Sequence, residues 1–526
     1  MILATAEQIR KADEMTIKGI GLPGMVLMEN AAQGAVRVLK DAMGDPMDWD
    51  VAAFCGRGNN GGDGLAMLRI LAGQGSVATA YLFCREADLK GDAAANLAVA
   101  KACGVQVVEI PDDAALEEYY EDMAGHEIYL DALLGTGLNS LVKGRFAEAI
   151  ELLNGLDAPV LAVDIPSGLS ADTGAVLGHA VEADFTATFG LTKLGLALDG
   201  TEHVGELTCV DISIPPVVVA DLQLDSHLLE EREVRLLLPE RPDKGHKGTF
   251  GHLLVVGGSP GKTGAPCLAA WGGLRAGAGL VTAALPCDLN PIAEVKLTAA
   301  MTQPLPQTSQ GNLAKAAGPV VLKMLGSRQA MVLGPGLSTE EETVELVRDL
   351  VLNCRIPTVL DADALNALAG DLANQGFGAA PHTVLTPHPG EAARLLGMTT
   401  EELLADRPKA ARVLARKTGC VTVLKGARSL IADPAGDLWV NPTGNVLLAS
   451  GGSGDVLSGV IGGLMAQGLS ALDAACAGVY VHGLAADLAI EEYGSRGLAA
   501  DELVDFLVMA FQAFLSEDAQ GDLEEL

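Results

Sequence analysis

Short, wholly apolar runs alternate with helix-period segments from the beginning of the chain. Thr5 followed by Gln8 has the spacing of a capping box and predicts a helix to about Lys18. A longer helix is expected from Pro23 to about Met43. Strands are predicted at 50–55 (DVAAFC), 77–83 (VATAYLF), 105–110, 127–131 and 159–164, with helices near 62–73, 92–103, 112–124 and 145–154. Strands that are apolar on both faces and separated by helices indicate a parallel sheet covered on both sides. The first part of the chain therefore reads as a doubly wound α/β domain.

The alternation pauses at 211–225 (DISIPPVVVADLQLD), which is taken as the junction between a first domain, 1–218, and a second, 222–526. A second α/β series follows, with strands near 252–256, 279–284, 329–333, 357–361, 383–386 and 420–424 and three closing helices over 454–517. No repeat of 20–50 residues relates the halves, so the pattern is a fusion rather than a duplication.

Composition narrows the chemistry. With 526 residues, two or more domains are expected. The 63 glycines have no collagen-like period and suggest many tight turns and backbone approaches to ligands. Lys and Arg total 35 against 68 Asp and Glu, a net charge of −33 that repels phosphate backbones and anionic lipid. No nucleic-acid or membrane partner is expected, and an anionic ligand must be held by local amide nests and single lysines. Cysteines 55, 84, 103, 209, 267, 287, 354, 420 and 476 form no C-x-x-C and no paired framework, which fits free thiols in a reducing compartment. With no leader-like apolar region in MILATAEQIRKADEM and no run long enough to span a bilayer, a soluble cytoplasmic protein is expected.

Glycine-rich loops follow the predicted strands. Gly56, Gly58 and Gly61 complete a G-x-G-x-x-G between the first strand and a helix, a Rossmann-like feature that either cradles a phosphate or merely packs helix on strand. Asn59, Asn60 and Asp63 exceed what that pattern needs and suit ribose hydroxyls or a cation. Asp131, followed by Gly135-Thr136-Gly137, and Asp164, followed by Pro166-Ser167-Gly168, end two further strands. Ligands bind beyond the carboxyl ends of parallel strands, so the three loops can converge. Asp164 suits acid–base work, and oxygens of Asp131, Asn60 and Ser167 suit a hard cation, although each lone Asp also reads as a simple cap.

In the second domain, Gly261-Lys262-Thr263 imitates a P-loop but fails, because Val256 stands where its first glycine belongs. Better candidates are Gly334-Pro335-Gly336-Leu337, Asp361-Ala362-Asp363, Thr386-Pro387-His388-Pro389-Gly390-Glu391 and Lys425-Gly426-Ala427-Arg428-Ser429. Ser450-Gly451-Gly452-Ser453-Gly454-Asp455 opens a helix with an amide anion hole beside a carboxylate, the combination that phosphorylation of a hydroxyl requires. His388 reads equally as a hydrogen-bonded core histidine.

Through GNNGGDG, DALLGTG and DIPSG the first domain resembles the NAD(P)H-hydrate epimerase family. Through HKGTFGHLLVVGGS, GPGL, TPHPGE, KGARS and GGSGDVLSG the second resembles the ADP/ATP-dependent NAD(P)H-hydrate dehydratase family, a branch of the ribokinase-like fold. Together they resemble bifunctional nicotinamide-nucleotide repair enzymes. The resemblance implies a Rossmann-like epimerase domain plus a ribokinase-like α/β dehydratase domain, acting as isomerase and lyase on hydrated NADH and NADPH.

It also implies residue roles. Asn59, Asn60, Gly61, Gly62, Asp63, the stretch Gly135, Thr136, Gly137, Leu138, Asn139, Ser140 and Leu141, and Asp164 would bind the hydrate in the epimerase, with Asp164 as acid/base. Asn60, Asp131 and Ser167 would hold potassium. Ala265, Gly336, His388 and Asp455 would line the dehydratase's hydrate site, with Asp455 as base. Lys425, Gly426, Ala427, Arg428, Ser429 and Gly454 would hold ADP or ATP with magnesium; Ser429 keeps the hydroxyl of the family's usual Thr. A homo-oligomer is expected. Two rival readings are a dehydrogenase joined to a sugar or vitamin kinase, and a cofactor-binding regulatory protein joined to a degenerate kinase.

Overall fold

Burial of every residue from Val51 to Cys55 along DVAAFC organises the first sheet. The computed structural model describes residues 1–199, 202–242, 244–372 and 382–514. It divides into two units, Ile2–Ser226 and the chain from His227 onward, the latter with Met1. The first unit holds seven parallel strands: β1 (Asp50–Cys55), β2 (Val77–Leu82), β3 (Gln106–Glu109), β4 (Ile128–Ala132), β5 (Val160–Val163), β6 (Phe185–Phe189) and β7 (Glu206–Val210). Their order is β3-β2-β1-β4-β5-β6-β7. Val51, Ala53 and Cys55 enter the core beneath helices Gly24–Met43, Asn59–Gly73 and Gly91–Ala102. Ala52 and Phe54 enter the opposite core, beneath Asp113–Met123 and Arg145–Asn154. With both faces covered, polar alternation disappears from the strand.

The chain order reverses at β1, which pairs with β2 on one side and β4 on the other, and a crevice opens at their carboxyl ends. Thr5 and Gln8 form the expected capping box on helix Ala6–Glu14. The expected continuation to Lys18 is instead a wide π-helical turn, Met15–Ile20, closed by Gly21 at φ +90°. β6 escaped the sequence reading because its inward positions include Thr186 and Thr188, both fully buried, the Thr186 hydroxyl donating to the Val204 carbonyl at 2.7 Å; β7, at the sheet edge, escaped because only Val210 of it is buried. The division between units falls at Ser226/His227, just past the expected 211–225 junction rather than within it at 218–222, because Val218 and Leu222 bury against Ala12 of the first unit.

In the second unit, β8 (His252–Val256), β9 (Leu280–Pro286), β10 (Met301–Leu305), β11 (Ala330–Leu333), β12 (Thr358–Leu360), β13 (Thr383–Leu385) and β14 (Val421–Leu424) are parallel, in the order β10-β9-β8-β11-β12-β13-β14. β15 (Leu430–Ala432) and β16 (Leu438–Val440) continue antiparallel. Pro304 in the outermost strand β10 lacks an N–H, a residue tolerated at a sheet edge. The three closing helices are Ser453–Ala466, Ala471–Tyr493 and Ala500–Ala513, and they bury Val460, Ala477 and Leu507 in one core with Leu253 and Val255.

Close backbone approach constrains the first loop. A Cβ at Gly61 would lie 2.0 Å from the Gly56 carbonyl oxygen, and one at Gly56 would lie 1.9 Å from that of Leu133. Gly61→Ala is therefore expected to lower the stability of the first unit by about 1–3 kcal/mol, the range for overpacking. Urea denaturation followed by circular dichroism reads this as a lower midpoint; an unchanged midpoint would show that the loop yields without cost.

Candidate active sites

A cleft of about 1040 Å³ occupies the crevice of the first unit. It is lined by Asn59, Asn60, Asp63, the stretch from Gly135 to Ser140, and Asp164. Of the G-x-G-x-x-G glycines, Gly56 and Gly61 serve close packing, whereas Gly58 lines the cleft with open space where a Cβ would be. Gly61 and Gly62 are buried behind the lining, and Leu141 is an exposed residue outside it.

Oxygens converge beneath this cleft. Asp131, fully buried in β4, accepts the Ser167 hydroxyl at 2.6 Å on one oxygen and the Ser167 amide at 2.6 Å on the other. The Ser167 hydroxyl oxygen accepts the Leu134 N–H at 2.8 Å. Asn60 donates through Nδ2 to the Leu134 carbonyl at 3.2 Å, and this leaves its buried Oδ1 without a hydrogen-bond partner among the described residues. Burial pushes the Asp131 carboxyl up to about 6, against its Ser167 and Leu133 hydrogen bonds.

Asp164 follows β5 in left-handed backbone, φ +69°. Its Oδ1 accepts from the buried Lys193 ammonium and from the Phe189 N–H at 3.0 Å; Oδ2 has no hydrogen bond among the described residues. Lys193 also donates to Thr188 Oγ1 and the Phe189 carbonyl, each at 3.0 Å. Asp63 and Asp13 line the same cleft. Burial first, then the Asp164 and Asp13 carboxylates, raise Asp63 well above the usual range, with Lys193 opposing. Asp13 is raised to about 6 by burial and then Asp164, again against Lys193. Asp13 and Lys193 were absent from the sequence-derived set. The signal for Asp13 was a carboxylate at helical spacing between Ile9 and Ile17, all three of which line the cleft.

The second unit gathers its motifs at the carboxyl ends of its parallel strands. Lys425, after β14, donates to Asp361 Oδ1, after β12, at 2.9 Å, with the Asp361 side chain almost fully buried. A Cβ on Gly454 would approach Lys425 Nζ to 3.2 Å, so the glycine-opened helix begins against this ammonium. Burial lowers the affinity of Lys425 for its proton, but Asp361 and Glu391 outweigh it and the net shift is upward. Asp455, in the first helical turn, is pushed up to about 7 by burial and then Asp361, opposed by Lys425. Gly336, at φ +65°, brings GPGL against Ala265: a Cβ there would lie 3.1 Å from the Ala265 Cβ. Asp363 accepts the Ser338 N–H at 2.9 Å and Lys262 Nζ at 3.1 Å.

His388 is an N-cap rather than a core residue. Its Nδ1 accepts the Gly390 and Glu391 amides at 3.0 and 3.3 Å, while its own N–H donates to Glu391 Oε2 at 2.9 Å. Accepting at Nδ1 puts the ring proton on Nε2, on a side chain that is 55% exposed. Arg407 clamps the Lys425–Ser429 loop through the carbonyls of Ala427 and Arg428 at 2.8 and 3.1 Å. The Ser429 hydroxyl closes that turn by donating to the Gly426 carbonyl at 3.0 Å. Asp361, Asp363 and Glu391 belonged to motifs noted in the sequence but not to its assigned site residues. Their part emerges only where strand ends meet.

Lys425→Met leaves Asp361 buried without its cation, and losing one partner of such a pair costs about 3–5 kcal/mol. Chemical denaturation should show that loss, and Lys425→Met with Asp361→Asn should recover most of it. A single variant as stable as the wild type would show that the pair is not energetically coupled.

Residues 253–508 match the family described as NAD(P)H-hydrate dehydratase, and residues 24–195 match the YjeF-related protein N-terminus family. The bifunctional NAD(P)H-hydrate repair enzyme Nnr of Moorella thermoacetica is 42% identical over 509 residues, covering 96% of both chains. The enzyme of the same name from Thermofilum pendens is 39% identical, covering 100% of this chain and 98% of that one. The Escherichia coli enzyme is 35% identical, covering 95% and 92%. Among solved structures, the ADP/ATP-dependent NAD(P)H-hydrate dehydratase from Bacillus subtilis, co-crystallised with ATP/Mg2+, is 34% identical over 55% of this chain and 98% of its own, with a TM-score of 0.47. The chain, matched end to end by such relatives, belongs to the family of bifunctional NAD(P)H-hydrate repair enzymes.

Proposed function

We propose that the chain repairs hydrated NADH and NADPH: the first unit interconverts the R and S hydrates, and the second dehydrates the S hydrate at the expense of ADP or ATP. The observation that carries this reading is Asp455, a carboxyl raised to about 7 at a glycine-opened helix start beside the Lys425 ammonium. Hydroxide leaves poorly, and phosphorylation turns the ring hydroxyl into a good leaving group. Asp455 takes the hydroxyl proton. The backbone amides from Gly451 to Gly454 and the positive end of the helix stabilise the transferring phosphoryl. Lys425, Gly426, Ala427, Arg428, Ser429 and Gly454 hold the nucleotide, while Ala265, Gly336, His388 and Asp455 line the hydrate site. The carboxylates of Asp361 and Glu391 have the hard-oxygen chemistry of a magnesium site and would hold that ion, which supplies charge neutralisation for the phosphates.

In the first unit, Asn59, Asn60, Asp63, Gly135 to Ser140 and Asp164 bind the hydrate, with Gly61 and Gly62 shaping the loop behind them and Oδ2 of Asp164 as the acid/base atom. The unpartnered, buried Asn60 Oδ1 beside Asp131 and Ser167 suits potassium, which would fix the loops around the cleft.

The Asp455 carboxyl accepts a proton only when ionised, so dehydration kcat/KM is expected to rise as pH rises through about 7. Asp455→Asn should retain nucleotide binding and lose at least ~10²-fold in dehydration rate, the scale of a general base. Recovery of the reduced-nicotinamide absorbance from pure S hydrate measures it, and near-normal turnover would remove Asp455 from the chemistry.

Epimerisation is expected to depend on potassium and to weaken in Asp131→Ala, while dehydration of pure S hydrate continues. Chromatographic separation of the R and S forms in potassium and in sodium buffers reads the first activity. Equal loss of both activities would point away from a cation confined to the first unit.

A further inference from the structure

We propose that Asp13 is the second acid/base of the first unit's cleft, protonating the ring hydroxyl as it departs while Asp164 takes the proton of the water that returns. The inference rests on the epimerase reading above and adds a residue that neither the sequence motifs nor the family match assigns.

Three observations carry it. Ile9, Asp13 and Ile17, spaced four apart, line the cleft, so Asp13 is a lone carboxyl in an apolar stripe facing the ligand space. It has no hydrogen bond or ion pair among the described residues, whereas Asp164 Oδ1 receives Lys193 and the Phe189 amide. The charged groups acting on Asp13 come from different elements: Asp164 after β5, and Lys193 in the short Thr192–Lys193 strand that follows β6. Asp63, at the start of helix Asn59–Gly73, is raised in turn by both Asp164 and Asp13. One ammonium thus serves three carboxyls, and burial with Asp164 brings Asp13 up to about 6, where it exchanges protons near neutral pH.

The chemistry asks for such a pair. Water added to a dihydronicotinamide ring puts the hydroxyl on a carbon bonded to the ring nitrogen. Inversion there begins when that C–O bond breaks, the nitrogen lone pair forms a C=N bond, and the Asp13 proton makes the leaving group water. A water then attacks the planar cation from the opposite face, forming the new C–O bond and yielding its proton to Asp164. One water leaves and one enters; the two carboxyls exchange protons with solvent to reset, and the reverse direction exchanges their roles.

The test uses the full-length protein with the pure R hydrate of NADH, follows R-to-S conversion by chromatography between pH 5 and 8, and repeats it in 18O-labelled water. Because protonated Asp13 is the donor, wild-type kcat/KM should fall as pH rises above about 6, by about tenfold per unit. Each conversion should carry one solvent oxygen into the hydroxyl. Asp13→Asn should be at least ~10²-fold slower at pH 6 and lack that pH limb, yet bind the hydrate as the wild type does by calorimetry. Asp13→Glu should restore part of the rate and the limb. Wild-type rates and an unchanged limb in Asp13→Asn, loss of hydrate binding in that variant, or conversion without 18O uptake would each overturn the assignment. A wild type that never converts R to S, while still dehydrating S, would instead overturn the epimerase reading itself.

Discussion

One ammonium can neutralise one carboxylate, and each unit sets several around one. Lys193 is fully buried against Asp164, with Asp13 and Asp63 in the same cleft. Lys425 pairs with Asp361 while Glu391 and Asp455 press on it from neighbouring elements. At an effective dielectric near 20, two like charges ~4 Å apart repel by about 4 kcal/mol, so ionising a further carboxyl in such company is costly. The surplus carboxyls rise toward neutral pH: Asp13 to about 6 and Asp455 to about 7. Burial comes first in both shifts, and a cation short of the carboxylates around it adds to what turns ordinary aspartates into proton-exchanging groups.

Holding such clusters demands backbone that sheet and helix geometry would not choose. Asp164 at φ +69°, Ala362 at φ +48° between Asp361 and Asp363, Ser338 at φ +92° and Arg428 at φ +51° are all left-handed non-glycine residues. Each follows a parallel strand; Asp164, Ala362 and Ser338 belong to, or touch, a carboxylate cluster, and Arg428 lies in the loop that Lys425 opens. Such conformations cost about 1–3 kcal/mol apiece and persist only where surrounding packing over-determines them. Here the packing is two-sided: Val51, Ala53 and Cys55 bury under one helix layer, and Ala52 and Phe54 under the other. The rigid sheets oppose relaxation of the strained turns, so the carboxylates remain aimed at their clefts.

Much of this was legible from local pattern. DVAAFC and HLLVV became β1 and β8 at the expected residues, and Thr5 with Gln8 capped the first helix, because periodicity and capping are decided within a few residues. Strands with buried threonines, such as Phe185–Phe189, were missed: their polarity is satisfied by partners distant in sequence, as Thr186 is by the Val204 carbonyl. The glycine motif was read correctly as a turn but not in its division of labour, since only the neighbouring loop reveals that Gly56 approaches Leu133 and Gly61 approaches Gly56.

The sequence by itself determined two α/β units, most of their apolar parallel strands and the loops that carry Asp131, Asp164, Lys425 and Asp455, because each follows from hydrophobic period and glycine placement along a short stretch. Only the tertiary structure decided which charges meet. Asp13 joins Asp164 and Lys193 across more than 150 residues, and Asp361 meets Lys425 across 64. Proton affinity depends on burial and on charges a few ångströms away, and neither quantity exists until the chain has folded.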